Sequence, residues 1–133
     1  MQYAFYFDPS RCMQCFTCQV ACKAEHHLRP RAEEKPGTKG PQYREVMAIE
    51  DLTAKGEASL EYVSMACMHC GSAPCLAACP TGAIYRDPEY GVVLVNRDLC
   101  IGCRYCSWAC PFGAPQFGGD GLMQKCDLCI DRL

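Results

Sequence analysis

The residues best suited to chemistry in this 133-residue chain are its fourteen cysteines, all of which fall into four groups. The first and third groups read C-x₂-C-x₂-C-x₃-C: Cys12, Cys15, Cys18 and Cys22, then Cys100, Cys103, Cys106 and Cys110. The second reads C-x₂-C-x₄-C-x₃-C: Cys67, Cys70, Cys75 and Cys79. A fourth group begins with Cys126 and Cys129. Thiolates repeated at such short intervals are typical metal ligands.

Three chemistries use so many cysteines in a short chain: disulfide scaffolds, zinc sites and iron–sulfur clusters. Disulfides need partners at defined separations and do not explain a repeated three-residue rhythm. Zinc sites usually pair two C-x-x-C knuckles across a longer gap, an alternative that stays open chiefly for the fourth group. The run from Cys100 to Pro111 is the C-x₂-C-x₂-C-x₃-C-P signature of bacterial ferredoxins. The spacing therefore predicts iron–sulfur clusters.

The spacing also has a geometric meaning. Three closely spaced thiolates in one loop can bind three corners of a compact [4Fe–4S] cube, while the fourth cysteine binds the other cluster of a pair. Pro80 and Pro111 directly follow Cys79 and Cys110. Because proline suits the first turn of a helix, we expect the fourth cysteine to begin one.

The segments between the groups must position these loops. Residues 84–86 and 92–95 are β-type runs on either side of an Asp-Pro-Glu-Tyr-Gly turn, which predicts a hairpin. Strands are also predicted over 2–8, 43–52 and 60–67, and a loop over 28–42, which is rich in proline, glycine and charge. The pattern predicts an α+β fold of short hairpins and short helices packed around clusters.

Composition narrows the function. The formal net charge of −2 is not that of a nucleic-acid binder. No apolar run is long enough to cross a bilayer, and residues 1–12 resemble neither a secretory nor a twin-arginine signal, so no direct membrane span is predicted. No nucleophile–base pair, phosphate-binding glycine loop or dinucleotide fingerprint is present. We therefore expect no catalysis by the chain on its own.

The segments "CMHCGSAPCLAACPTGAI", "CIGCRYCSWACPFGAPQ" and "KCDLCIDR" resemble the iron–sulfur subunit of the dimethyl sulfoxide reductase family of molybdopterin oxidoreductases. That family includes relatives in formate dehydrogenases and polysulfide reductases, and the resemblance covers nearly the whole chain. It implies an electron-transfer subunit built as two interleaved ferredoxin-like modules. The inner module would span about 60–115, the outer would combine 1–30 with 116–133, and 31–59 would be an insertion.

The resemblance also implies a nested set of [4Fe–4S] ligands. The inner sets would be Cys67, Cys70 and Cys75 with Cys110, and Cys100, Cys103 and Cys106 with Cys79. The outer sets would be Cys12, Cys15 and Cys18, and Cys22, Cys126 and Cys129. Some relatives, notably in nitrate reductases, have tryptophan at the position of Cys106 and a three-iron cluster there, so four irons are implied here.

Each outer set has three thiolates, whereas the family's fourth group continues with further cysteines. We expect the sequence to be part of a longer protein that holds up to four clusters. Three-iron clusters, a non-cysteine ligand or ligands from a partner chain are the alternatives.

The implied partner is a molybdopterin or tungstopterin catalytic subunit, with a membrane anchor or a flavin subunit as a further possibility. The compartment would be the cytoplasm, or the far side of a membrane if the chain is exported as a passenger with its catalytic partner. An anchor subunit would make it peripheral to the membrane. A free-standing polyferredoxin carrier and a zinc-stabilised structural module are the competing hypotheses.

Several other residues lie near the cysteine groups. Gly102 in "CIGC" is predicted to permit close backbone approach, with N–H groups donating to cluster sulfur. Lys125 is predicted to offset cluster charge. His69 in "CMHC" is interpreted as a polar residue at a cluster rim, with a hydrogen bond to the cluster or a role in proton uptake as alternatives. His26 and His27 are predicted to be solvated, with an unusual ligand role as the alternative.

Two pairs of residues in the third group have predicted roles outside ligation. Trp108 and Phe112 flank its last cysteine, and we expect them to keep water off the cluster. Arg104 and Tyr105 fit the family motif, and contact with a partner subunit is an open interpretation for both.

Overall fold

A computed structural model describes residues 2–28, 40–52 and 56–133. The helices are α1 (Thr17–Glu25), α2 (Pro74–Ala77) and α3 (Tyr105–Ala109). The strands are β1 (Arg44–Leu52), β2 (Ala58–Ala66), β3 (Ile84–Arg86), β4 (Val93–Val95), β5 (Gln116–Phe117) and β6 (Met123–Gln124). They form three antiparallel pairs, β1–β2, β3–β4 and β5–β6. The mixed class of short helices and short hairpins is confirmed. In the described ranges, each helix is too short to cross a bilayer.

The hairpin of β1 and β2 leads directly into the second cysteine group. Its register pairs Arg44 with Ala66 and Leu52 with Ala58, so the strands predicted over 43–52 and 60–67 are confirmed. The Arg44 guanidinium donates to the hydroxyl of buried Ser64 across the pair (3.0 Å), and the same hydroxyl lies 3.3 Å from Cys18 Sγ. The hairpin therefore connects the first cysteine group to the second.

The predicted hairpin between the second and third groups is also confirmed, as β3 and β4. Ile84 pairs with Val95 and Arg86 with Val93. The Asp87 carboxylate accepts hydrogen bonds from the backbone N–H groups of Glu89 (3.1 Å) and Tyr90 (2.8 Å), which fixes the turn. Since side chains alternate along a strand, one face of this hairpin is available to the core.

The core is small and includes thiols. Its cluster of buried residues consists of Ile84, Val93, Met123, Cys75 and Cys106. Met123 comes from β6 and is only 1% exposed, so the C-terminal segment takes part in the core. Because two of the five side chains are cysteines, the apolar packing and the candidate ligand positions are the same part of the fold.

No described helix begins at the fourth cysteine of a group, so that prediction was wrong. Helix α3 stops at Ala109, and Cys110 is extended (φ −86°, ψ 116°). Proline disfavours the helical conformation in the residue before it, and Pro111 therefore terminates the helix at Cys110. In the first group Lys23 follows Cys22, and α1 continues to Glu25.

The strand predicted over residues 2–8 was also wrong. This segment forms neither helix nor strand and has a single described backbone hydrogen bond beyond its own vicinity, from Tyr3 N–H to the Tyr90 carbonyl (3.4 Å). Phe5 and Tyr6 are exposed. A β-type sequence needs a paired neighbour to become a strand, and the described part of the chain offers none here. Most of the loop predicted over 28–42, namely residues 29–39, lies outside the described residues.

Candidate metal centres

One cavity brings the second and third cysteine groups together. Its empty space, counted together with the open solvent at its mouth, is about 360 Å³. Its thiols belong to Cys67, Cys70, Cys75 and Cys110. Three come from one loop and the turn of helix α2, and the fourth comes from the end of α3. This is the grouping that the resemblance implied for one inner set.

A second cavity contains the reciprocal set. Its empty space, again counted with the open solvent at its mouth, is about 320 Å³, and its thiols belong to Cys79, Cys100, Cys103 and Cys106. Ile84, Val95 and Phe117 supply apolar walls. The buried core cluster lies between the two cavities, because Cys75 lines the first, Cys106 lines the second, and both pack in that cluster.

The thiols in these cavities are crowded. Burial raises the pKa of Cys75, and neighbouring Cys67 and Cys110 raise it further. Burial raises the pKa of Cys106 to about 11, with Cys103 and Cys100 adding to the effect. Several thiolates side by side are therefore unfavourable without a cation, and metal binding is what would deprotonate them together.

Cys79 has the opposite electrostatic environment. Burial raises the pKa of its thiol, but hydrogen bonds from the backbone of Ile84 and from Thr81 outweigh burial and leave the pKa below its ordinary value. Donors that favour a thiolate are what a cluster sulfur needs. All fourteen cysteines are free thiols, and the disulfide-scaffold alternative has no support.

A left-handed backbone position recurs in every cysteine group. The residue just before the second cysteine has positive φ in all four: Gln14 (57°), His69 (44°), Gly102 (69°) and Leu128 (62°). In the fourth group the Leu128 N–H points at Cys126 Sγ (3.4 Å). Reversing the chain at this position turns successive N–H groups toward one side, which is the form of an anion-binding concavity.

Sequence reasoning identified only the glycine among these four positions. Gln14, His69 and Leu128 are residues for which positive φ is uncommon, and such strain is concentrated at functional sites. The signal that could have found them is the repeat itself. Aligning the four C-x-x-C pairs places these three residues at the position of Gly102.

Gly102 differs from the other three left-handed positions because it has no room for a Cβ. A Cβ at this position would lie 2.8 Å from the Gly121 carbonyl oxygen. We expect Gly102→Ala to destabilise the iron-loaded protein by about 1 kcal/mol from backbone strain, with a further cost from this contact. The unfolding temperature should fall by several degrees, as measured by circular dichroism under anaerobic conditions.

Gly113→Ala is the matched control for that substitution. Gly113 also has positive φ (64°), but among the described residues nothing lies within 4 Å of an added Cβ. It should therefore lose only the backbone component. Equal losses in the two variants would contradict the steric account of Gly102.

The first and fourth groups also approach each other. Burial, together with neighbouring Cys126 and Cys129, raises the pKa of Cys22 to about 11. Cys126 is buried, and burial raises its pKa as well. These three thiols form the second of the expected outer sets, and helix α1 supplies one of them from more than 100 residues away in the chain.

His26 lies against this outer set. Its Nε2 is 3.8 Å from Cys129 Sγ and 3.4 Å from Asp127 Oδ1, and the His26 side chain is 14% exposed. The prediction that His26 is solvated was therefore wrong, because helix α1 turns its C-terminal end toward the fourth group. His27 is exposed. The ligand atoms of His26, Asp127 and Cys129 lie within 4.8 Å of one another, a separation at which they can share one metal ion.

The remaining outer cysteines are more open. Cys15 and Cys18 are exposed and Cys12 is partly buried. Hydrogen bonds from the side chain and backbone of Thr17 lower the pKa of Cys15. A donor next to an exposed thiol favours its thiolate form, which is the form that binds metal.

The aromatic residues of the third group are arranged differently from the prediction. Trp108 is 80% exposed and its ring lies 5.8 Å from that of Tyr105, so the prediction that Trp108 excludes water from a cluster was wrong. Phe112 does line the first cavity. Arg104 is exposed and its guanidinium lies 4.7 Å from the centroid of the Phe117 ring. Trp108 lies on the solvent-exposed face of helix α3, whereas Cys106 on the same helix is buried.

Thiols grouped around two apolar cavities define an iron–sulfur protein of the ferredoxin type. Two family models, each described as a 4Fe-4S dicluster domain, match residues 11–84 and 58–133. Each match covers more than half of the chain, and the chain belongs to this family of [4Fe–4S] proteins.

Characterised relatives align with nearly the whole chain. A component of the anaerobic dimethyl sulfoxide reductase of Haemophilus influenzae is 40% identical, over 99% of this chain and 64% of the relative. A component of the sulfite dehydrogenase of Allochromatium vinosum is 38% identical, over 99% and 58%. The formate dehydrogenase iron-sulfur subunit of Wolinella succinogenes is 43% identical, over 94% and 59%. The expected resemblance is confirmed, and the chain spans about three fifths of the length of these relatives.

The cavities fit the cluster that the family binds. Each supplies four thiols, the number of ligands that a [4Fe–4S] cluster takes from cysteine. Their walls are largely apolar, which keeps water away from an inorganic core and helps set its reduction potential. The residues present therefore match the [4Fe–4S] group in donor type, donor number and surroundings.

Proposed function

We propose that this chain is an electron-transfer subunit that relays single electrons between a catalytic subunit and a second redox partner. The observation that carries the proposal is the pair of four-cysteine cavities on either side of one small core. Two redox centres held so close together serve conduction better than they serve a chemical reaction. The [4Fe–4S] clusters supply the one-electron chemistry when bound, and the protein supplies spacing, dryness and hydrogen-bond donors.

The inner ligand assignment follows the two cavities. Cys67, Cys70, Cys75 and Cys110 hold one cluster, and Cys79, Cys100, Cys103 and Cys106 hold the other. The exchange of the fourth ligand between the groups supports one inner module over about 60–115, since neither group could complete a cavity without the other.

The outer ligand sets join the first cysteine group to the fourth. The proximity of Cys22 to Cys126 and Cys129 supports one outer cluster at these three thiols. Cys12, Cys15 and Cys18 supply three ligands of another. On this assignment the outer module joins residues 1–30 to 116–133 and encloses the inner one in sequence, which is the interleaved arrangement.

A stable partner is supported by exposed apolar side chains on the third group. Ile101, Tyr105 and Trp108 are 67%, 51% and 80% exposed beside the second cavity. Large apolar side chains clustered at a surface are typical of interaction sites. The relatives belong to reductases and dehydrogenases. The partner proposed here is therefore a molybdopterin or tungstopterin catalytic subunit, with a membrane anchor or flavin subunit as the other electron partner.

This partner also determines the compartment. A chain that binds its catalytic subunit before export would follow that subunit across the membrane, and otherwise it would stay in the cytoplasm. The relay works the same way in either place, because it depends on contact between subunits.

Anaerobic metal analysis tests the cluster content. We expect the purified protein to contain iron and acid-labile sulfide in equal amounts, at least about eight of each per chain if both inner sites are filled. Visible absorption should bleach with dithionite, and chelation of the iron should lower the unfolding temperature. Zinc in place of iron and sulfide would overturn the proposal in favour of a structural zinc module.

Co-purification separates a fixed subunit from a mobile carrier. Expressed with its genomic neighbours and purified by a tag on this chain, the protein should elute with a larger pterin-containing subunit in fixed proportion. A cluster-loaded chain that elutes alone under the same conditions would favour the free-standing carrier.

A further inference from the structure

His69 is the most deeply buried histidine of the described residues, with 1% of its surface exposed. It lies between Cys67 and Cys70 at the left-handed position of the second group (φ 44°). It lines the cavity that also contains Cys75 and Cys110. A residue expected at a cluster rim is instead part of the cavity wall.

The ring of His69 has a defined hydrogen-bonding arrangement. Its Nδ1 accepts a hydrogen bond from the backbone N–H of Val93 on β4 (3.0 Å). An acceptor nitrogen carries no proton, so the neutral ring carries its proton on Nε2.

The Nε2–H group is left without a partner. It is buried and donates no hydrogen bond among the described residues. An unsatisfied buried donor costs roughly 1–3 kcal/mol, and native proteins seldom leave one without a reason. The Lys125 ammonium has no acceptor, so the side-chain atoms lining the cavity that could accept this hydrogen bond are the sulfurs of its four cysteines and of Met68.

We propose that His69 Nε2–H donates a hydrogen bond to a sulfur atom of the cluster in this cavity, either a cysteine thiolate or an inorganic sulfide. This inference rests on the proposed function, because it requires a cluster at Cys67, Cys70, Cys75 and Cys110. The Val93 N–H fixes the tautomer and the ring orientation, as a backbone partner does for many histidines at metal sites.

The bond has a predictable effect on electron transfer. The reduced cluster carries one more negative charge than the oxidised one, and a donor stabilises the more negative form. His69 therefore raises the reduction potential of this cluster relative to its neighbour. The imidazole donor is found in this group only: of the equivalent positions, Gly102 and Leu128 have no side-chain donor, and Gln14 has an amide.

Two substitutions distinguish the hydrogen bonds made by the two ring nitrogens. His69→Gln can place an amide N–H near the position of Nε2 and so retain a donor to the cluster. His69→Asn can retain an acceptor for Val93 N–H but is too short to reach the sulfur. The backbone tolerates both, since glutamine occupies the equivalent left-handed position at Gln14 and asparagine is common in this conformation.

The experiment is an EPR-monitored redox titration of the iron-loaded protein, with electron–nuclear double resonance in H₂O and D₂O. In His69→Asn we expect one cluster to shift to a more negative midpoint potential and to lose one exchangeable proton coupling. His69→Gln should shift less, and the other cluster signals should not move in either variant. Iron and sulfide per chain should equal the wild-type values.

The outcomes are distinguishable. A wild-type protein that binds no cluster contradicts the proposed function. Clusters that form normally, with His69→Asn retaining the wild-type potential and the same exchangeable coupling, contradict the inference about His69 alone. Nitrogen hyperfine coupling typical of a directly bound imidazole would also overturn it, because a ligating Nε2 cannot carry the proton.

Discussion

Replacing Cys110 with alanine is expected to remove the cluster at Cys67, Cys70 and Cys75 while leaving the cluster of its own sequence group in place. The reason is that Cys110, which directly follows helix α3, lines the cavity of the second group. The iron content should fall by about four atoms per chain, and one set of reduced-cluster EPR signals should disappear. Cys106→Ala should remove the other cluster, with the same loss of iron.

Double variants make this prediction sharper. Residues that hold one cluster act as a unit, so their losses do not add, whereas losses at separate clusters do. Cys75→Ala with Cys110→Ala should lose no more iron than either alone, although Cys75 and Cys110 belong to different sequence groups. Cys106→Ala with Cys110→Ala should lose about twice as much, although the two cysteines belong to one sequence group.

Ser107→Ala controls for disturbance of α3, because it alters a half-buried residue between the two cysteines without removing a thiol. Its iron content should equal that of the wild type. Suppose that the iron loss were non-additive for Cys106→Ala with Cys110→Ala and additive for Cys75→Ala with Cys110→Ala. Each cluster would then belong to a single sequence group. The exchange of ligands between the cavities would then be wrong.

The hairpins could be predicted because their signals are local. Residues 84–86 and 92–95 are β-type runs on either side of a turn. In that turn the Asp87 carboxylate accepts hydrogen bonds from two backbone N–H groups, and both features can be read from a few residues. The segment over 2–8 has an equally good β-type sequence but forms no strand. Pairing is a property of the neighbour, and the sequence of one segment does not contain it.

The site was predictable in its chemistry and less so in its details. The spacing of the cysteines indicates clusters directly, but the exchange of Cys79 and Cys110 came from a family resemblance. The positive φ of Gln14 and Leu128 was missed, because neither is a residue type that is enriched in the left-handed region. The burial of His26 was missed because it depends on contact between helix α1 and a group about a hundred residues later.

Lys125 is a buried cation placed among the cysteine groups. It is 4% exposed, and its ammonium donates to the carbonyl oxygens of Val93 and of Cys126, the latter at 2.9 Å. In the described part of the chain, no carboxylate lies within salt-bridge distance of it. It lines the first cavity, and its charge lowers the pKa of both Cys75 and Cys126, although burial raises each of them more.

A buried charge of this kind needs compensation, and an anionic cluster supplies it. Replacing Lys125 with methionine, which has a similar length and no charge, should lower the reduction potential of the cluster in the first cavity. One charge at a separation of roughly 8 Å with an effective dielectric constant of about 20 contributes about 2 kcal/mol. This corresponds to a shift on the order of 80 mV for a one-electron couple. Redox titration followed by EPR measures it.

Two variants show whether charge is the cause. Lys125→Arg keeps the positive charge and should retain most of the potential, whereas a packing effect would shift it as much as methionine does. Arg97→Gln removes one positive charge from an exposed ion pair with Asp120, where solvent screens it, and should change the potential little. If Lys125→Met and Arg97→Gln gave equal shifts, net charge would explain the result and the buried position of Lys125 would not. A potential unchanged in Lys125→Met would mean that this ammonium does not act on the cluster at all.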